Sequence, residues 1–231
     1  MKKLYLFCLI LLPLMMVSCK DESGEFIELY YTNAQLTSVL RTCLTASKDT
    51  AINQLCVPDG FNGNDTYRIT LPDNANFRAL AEALATQEKS YLTDTLTAQM
   101  NRACELSGNA LSSTFSSTIT SLTFSDPSSS VFSSNTDAAT TYFRTKCGTS
   151  LQSSAASILS EQMQNSGANS TWTEIQSAYY ISTSAFFNYD LNTFATTQLL
   201  DAVYTEMAKE EALIRSDSTH ATAGNLSVFR R

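Results

Sequence analysis

The chain opens on an unbroken apolar run, Leu4 to Val17, and then changes to a pattern in which apolar residues return every three or four positions. That recurrence marks one face of an α-helix, whose turn holds about 3.6 residues. Leu36, Val39, Leu40, Cys43, Leu44, Ala51, Ile52 and Leu55 form the first stripe, with Asn33 as its expected N-cap. Val57 to Asp65, rich in Pro, Gly, Asn and Asp, predicts a loop. Tyr67 to Leu71 reads as extended. Pro72-Asp73 then opens a helix that turns Phe77, Leu80, Ala81 and Leu84 inward. Leu92, Leu96, Met100 and Ala103 mark a further helix, and Leu111, Phe115, Ile119 and Leu122 another.

Ser125-Asp126-Pro127 combines cap residues with a proline at the first turn, a helix start signal. Asp137 opens a longer helix carrying Ala139, Tyr142, Phe143, Cys147, Leu151, Ala155, Ile158 and Leu159. Gly167 to Ser170 breaks the pattern, and Trp172, Ile175 and Tyr179 predict a short helix. The last helix is expected from about Asp190 to Arg215, burying Phe194, Leu199, Leu200, Val203, Met207 and Ile214. No stretch alternates with the period of a strand, and no internal repeat stands out. The fold class is therefore all-α, a single multi-helix bundle-like domain over residues 33–231.

The opening run follows Lys2 and Lys3 and ends in Met16-Val17-Ser18-Cys19. It is too short for an ordinary membrane anchor, which needs about 20 apolar residues. A basic start, a short apolar run and a terminal Cys resemble the lipobox of bacterial lipoprotein signals. The resemblance implies a signal peptide over 1–18, removal before Cys19, and lipidation of Cys19, so that the membrane is a partner through the lipid. Residues 19–32 read as a tether. Lys20-Asp21-Glu22 within it resembles the surface-export signal of Bacteroidota lipoproteins. No Asp follows Cys19 directly, which by the enterobacterial sorting rule points to the outer membrane, at its periplasmic face or the cell surface.

The chain has 231 residues and a formal charge of −7, and loss of a segment holding two Lys and no acid leaves the remainder more acidic. Basic residues are scattered, with no stripe that could neutralise a phosphate backbone, so nucleic acid is not an expected partner. Cys43, Cys56, Cys104 and Cys147 lie beyond Cys19. On one helix Cys43 and Cys56 would stand about 20 Å apart, too far for a disulfide. The four read either as buried thiols or as cysteines that bridge between helices. There is no CxxC, and His220 is the sole histidine, so no metal or other cofactor is expected. No nucleophile elbow or phosphate loop is found. Glu206, Glu210 and Glu211 are the nearest approach to a catalytic carboxylate cluster, although interleaved Lys209 and Arg215 make that face read as a solvated or salt-bridged surface. The aromatics Tyr179, Tyr180, Phe186, Phe187 and Tyr189 read either as core or as the lining of a groove for a sugar or an apolar ligand.

Five segments recur in an order that is more telling than any one of them: PDGF at Pro58–Phe61, RITLP at Arg68–Pro72, MNRACE at Met100–Glu105, DAATTYFRTK at Asp137–Lys146 and AKEEALIR at Ala208–Arg215. In this order the chain resembles the family called domain of unknown function 4197, which implies an all-helical exported protein and no established activity. Cys104 replaces a usual Ala, and Ser218 and Ala221 stand for an expected Pro and Arg. The polar residues of the motifs are the candidate cluster: Asn101, Arg102, Glu105, Asp137, Arg144, Lys146, Glu210, Glu211 and Arg215. They form either three independent surface pairs or a network in which Glu105 and Glu211 neutralise Arg102, Arg144 or Arg215 across helices. The expected role is a lipid-anchored envelope module without catalysis, either structural or binding an unidentified protein or ligand. The alternative is an envelope hydrolase using clustered carboxylates.

Overall fold

The computed structural model describes residues 17–20, 26–29, 31–221 and 223–230. The lipobox up to Met16 and the Asp21-Glu22 pair lie outside the described residues. Beyond residue 31 the chain is all-α, as the spacing predicts. The helices are α1 (Asn33–Leu55), α2 (Ala75–Ala85), α3 (Tyr91–Leu106), α4 (Gly108–Ser121), α5 (Pro127–Val131), α6 (Ala138–Asn165), α7 (Ala168–Thr183) and α8 (Leu191–Ser216). A 3₁₀ segment, Gly224–Arg230, ends the fold. Ahead of the helices, β1 (Val17–Lys20) pairs antiparallel with β2 (Phe26–Leu29), with Cys19 opposite Ile27. The segment expected as a plain tether thus carries a short ribbon. Four residues a side are too few for alternation to register in the sequence.

α1 is the axis. It packs along α8 and also meets α4, α5 and the 3₁₀ segment, while α6 lies against α8 and α4. Every residue of its expected stripe is buried. Thr32, one residue earlier than expected, caps it: Gln35 N–H donates to Thr32 Oγ1 at 3.2 Å and Thr32 N–H donates to Gln35 Oε1 at 2.9 Å. Gln35 at the third helical position closes this reciprocal box, which Asn33 could not have formed with it. α2 starts after Asn74, whose carboxamide oxygen accepts from the N–H groups of Asn76 and Phe77, and not at Pro72-Asp73. Ala81 is exposed and Ala83 buried, because the neighbour α7 covers the Leu80–Ala83–Leu84 side.

Two aromatic nodes anchor the layers. Phe115 of α4, Phe143 of α6 and Tyr204 of α8 meet with centroids 5.7 to 6.3 Å apart. Phe187, ahead of α8, is ringed edge-on by Phe77, Trp172 and Tyr179. Such pairs contribute about 0.5–1.5 kcal/mol beyond their buried area. The aromatic run around Tyr179 divides accordingly: Phe187 is core, whereas Tyr180 and Phe186 stack on each other at the surface.

The four cysteines from Cys43 onward are free thiols. Cys43 and Cys104 are fully buried, and burial pushes both thiols up. Cys56, the C-cap of α1, is pushed up to about 12 for the same reason. Thiols so placed resist ionisation and serve as small apolar residues. Gly108 is fixed by Cys56: a Cβ there would stand 2.7 Å from the Cys56 Cβ. Among the described residues no helix is long and apolar enough to cross a membrane.

Candidate functional site

The first turn of an α-helix has N–H groups without partners and a partial positive charge. In α6 they are satisfied from another helix. The N–H groups of Ala139 and Thr140 donate to Glu211 of α8 at 2.9 and 2.7 Å, and Glu211 is wholly buried. Arg215, one turn later, donates to the same carboxylate through Nε at 2.9 Å and Nη2 at 2.7 Å. Its guanidinium also holds the carbonyls of Val131 and Ser130 at 3.0 and 2.9 Å and lies 4.3 Å from the centre of the Phe229 ring. One ion pair thus ties the end of α5 to the start of α6. Asp137 occupies the cap position but makes no cap bond to the helix; its Oδ2 accepts from the Thr141 hydroxyl at 3.3 Å.

A similar device holds the other long connection. The N–H groups of Phe61 and Asn62 donate to Glu105 Oε1 at 3.2 and 2.9 Å, and Arg102 Nη1 donates to Oε2 at 3.0 Å. Asn101, fully buried, accepts from Ile69 N–H at 2.8 Å and donates to Ile69 C=O at 2.7 Å, as a neighbouring strand would. Gly60 permits the close return of this loop, since a Cβ there would fall 2.2 Å from the Leu55 carbonyl oxygen. The PDGF, RITLP and MNRACE segments therefore form one packed unit.

The candidate residues do not converge. Arg102 pairs with Glu105, Arg215 with Glu211 and Arg144 with Asp201, and among the described residues no ion pair links the three. Lys146 lies 5.7 Å from the centre of the Tyr142 ring. The acidic face of α8 is not solvated: Glu206, Glu210 and Glu211 are all buried. Glu206 accepts from the Tyr67 hydroxyl and from Lys209, the latter at 2.7 Å; Lys209 also donates to the Tyr67 oxygen at 2.7 Å, and its bonds to Glu206 and Tyr67 push the ammonium up. Glu210 bonds His220 Nδ1 at 2.9 Å and raises that imidazole above its ordinary value. Each carboxylate is thus bound to a different partner. The described residues contain no group of three His, Cys, Asp or Glu placed to hold a metal.

Two of the motifs, Asp137–Lys146 and Ala208–Arg215, line a cleft between α6 and α8. Neighbouring hollows of about 450 and 440 Å³ lie there, and Arg144 and Tyr204 line both. Asp137, Thr140 and Arg144 of one motif and Ala208, Lys209 and Ala212 of the other line the first hollow. Arg144 stands 5.1 Å from the centre of the Tyr204 ring. The Thr140 and Tyr204 hydroxyls, which sequence reasoning did not single out, are buried without any partner in the protein. Burial pushes the Tyr204 phenol up more than Arg144 draws it down, so it remains a neutral O–H. A cleft of about 490 Å³ also lies along α1 and α4, lined by Thr37, Arg41 and Asp49 among others, but none of the motif residues reaches it.

A family model described as protein of unknown function (DUF4197) matches residues 30–229. No curated protein and no solved structure matches the chain.

Proposed function

Because the chain belongs to the DUF4197 family, whose description assigns no activity, we propose that it is a lipid-anchored envelope module that binds a ligand or partner without catalysis. The anchor is the diacylglycerol on Cys19, and the site of action is the outer membrane, at its periplasmic face or the cell surface. The support for the anchor is the sequence of Lys2-Lys3, the apolar run and Met16-Val17-Ser18-Cys19. The observation that carries binding is the α6–α8 cleft, which residues of two motifs line. The hydrolase alternative rests on Glu206, Glu210 and Glu211, and each of these is already held by a partner within the fold.

Metabolic labelling with a fatty acid, followed by membrane fractionation, tests the anchor. The wild-type chain is expected to carry label and to sediment with membranes, and Cys19→Ala to do neither. A wild-type chain without label would end this reading.

A further inference from the structure

We propose that the hollow at the α7–α8 corner is a ligand site separate from the α6–α8 cleft, taking a flat, uncharged, largely apolar ring. Ser184, at φ 57°, ends α7 and turns the chain back, and Phe186 stacks on Tyr180 with ring centroids 4.9 Å apart. Those two rings, with Ile181, Gln176 and Phe187, line a hollow of about 360 Å³. Phe187 belongs to the core, ringed by Phe77, Trp172 and Tyr179, so its wall is fixed before any ligand arrives. The other apolar groups stand in water: Tyr180 is 46 %, Ile181 72 % and Phe186 78 % exposed. Neighbouring apolar side chains left so open mark a contact surface, unlike ones scattered singly.

Area limits the partner. The three side chains expose about two residues' worth of surface, about 400 Å² at about 200 Å² each. A stable protein pair needs about 800 Å² on each side, whereas the volume of the hollow suits a compact ligand. Charge and hydrogen bonding then select its chemistry. No residue from Ile175 to Tyr189 carries a charge. The charges on either side are engaged: Glu174 accepts from Lys89 at 2.9 Å, and Asp190 accepts from Thr193 N–H at 2.9 Å. An ion in the hollow would lose water and gain no counter-ion. Three polar residues of the lining spend their donors within the protein. The Thr173 hydroxyl donates to Asn169 C=O at 2.9 Å, the Ser177 hydroxyl to Thr173 C=O at 2.8 Å, and Gln176 Nε2 to Phe187 C=O at 2.9 Å. A sugar must replace a hydrogen bond for each hydroxyl it takes out of water, and these groups offer it few. A ring with apolar faces loses none. Of the sugar and the apolar ligand that the aromatic run leaves open in the sequence, the geometry favours the second.

The test uses the full chain in phosphatidylcholine nanodiscs, with 5-fluorotryptophan at Trp172, the sole tryptophan, which stands 5.8 Å from Phe187. The fluorine resonance of that residue reports occupancy of the hollow, and empty nanodiscs give the partition of each probe into lipid. The probes are 2-naphthylmethanol, the anion 2-naphthoate, the cation 2-naphthylmethylammonium and the disaccharide cellobiose. 2-Naphthylmethanol is expected to shift the resonance saturably and to bind more tightly than the other three. Phe186→Ala and Tyr180→Ala should each weaken it by about 5- to 10-fold, the worth of a stacking contact. Both side chains are exposed, so the unfolding midpoint should stay within about 2 °C of the wild type. Leu213→Ala, at an exposed apolar position near the end of α8, should bind as the wild type does. Four outcomes overturn the proposal. The neutral ring leaves the resonance unmoved; an ion or the sugar binds more tightly; both alanine variants at the corner bind as the wild type does; or the wild type dimerises where Phe186→Ala does not, which would give the hollow to a second copy.

Discussion

The two carboxylate clamps use the same chemistry in different surroundings. Glu105 and Glu211 each accept two backbone N–H bonds and one arginine from their own helix. The arginines differ. The Arg102 side chain is 44 % exposed and reaches water, whereas that of Arg215 is 8 % exposed and lies against Phe229. A buried charge that loses its counter-ion cannot be rehydrated, and that asymmetry sets the cost of breaking a pair. The exposed clamp pins a loop. The buried one joins three helices and the chain terminus, so the same substitution should do different damage at each.

Glu211→Ala should have the largest effect. It strips two N–H groups of α6 and leaves Arg215 charged and enclosed, at about 3–5 kcal/mol. Denaturant unfolding should show a large fall in midpoint, and a loss below about 1 kcal/mol would contradict the burial of the pair. Glu105→Ala should cost about 1–3 kcal/mol, the penalty of orphaning the Phe61 and Asn62 N–H groups while Arg102 turns to solvent. Proteolysis within 57–65 should rise before the helices are cut. Arg102→Ala should cost about 1–2 kcal/mol, less than Arg215→Ala, because the buried Glu105 carboxylate keeps its two backbone N–H bonds when the half-exposed arginine is lost. If Arg102→Ala and Arg215→Ala cost the same, the distinction between the clamps is gone.

The smallest effect is a pH dependence at the end of α8. Glu210 raises the His220 imidazole above its unfolded value. Its stabilising contribution is therefore complete below the unfolded pKa of about 6.5 and is lost as pH rises through the higher folded value. The protection of the 217–221 amides, after division by the intrinsic base-catalysed exchange rate, should fall over that interval in the wild type and stay level in His220→Ala.

These contrasts also explain what the residue pattern could convey. Apolar periodicity placed α1 almost residue by residue, because its stripe faces one core and is broken only by the buried Ser47 and Lys48. It failed where a polar group occupies a core position. On α8, Leu200, Val203, Met207 and Ile214 step by three, four and then seven, and the vacant place in the last step belongs to Glu210 and Glu211. The gap marks these acids as inward-facing, yet their interleaving with Lys209 and Arg215 reads as a solvated or salt-bridged surface, of which the ion pairs are present and the exposure is not. Glu211 is held by backbone groups 71 and 72 residues away and Glu210 by His220 beyond the end of the helix, and no helical spacing encodes either. The same limit applies to the cleft. Thr140 and Tyr204 are ordinary helix residues in a chain crowded with Thr and Tyr, and only the packing of α6 on α8 leaves their hydroxyls without partners.

The pairing of α1 with α8 has a temporal consequence. A chain made from its N-terminus exposes the stripe of α1 for nearly the whole of synthesis, because the helix that covers it, Leu191–Ser216, emerges last. Contacts so distant in sequence form slowly and only once both ends are present. Until then the stripe of α1 can be covered only in part, by α4 and α5, and the core cannot close.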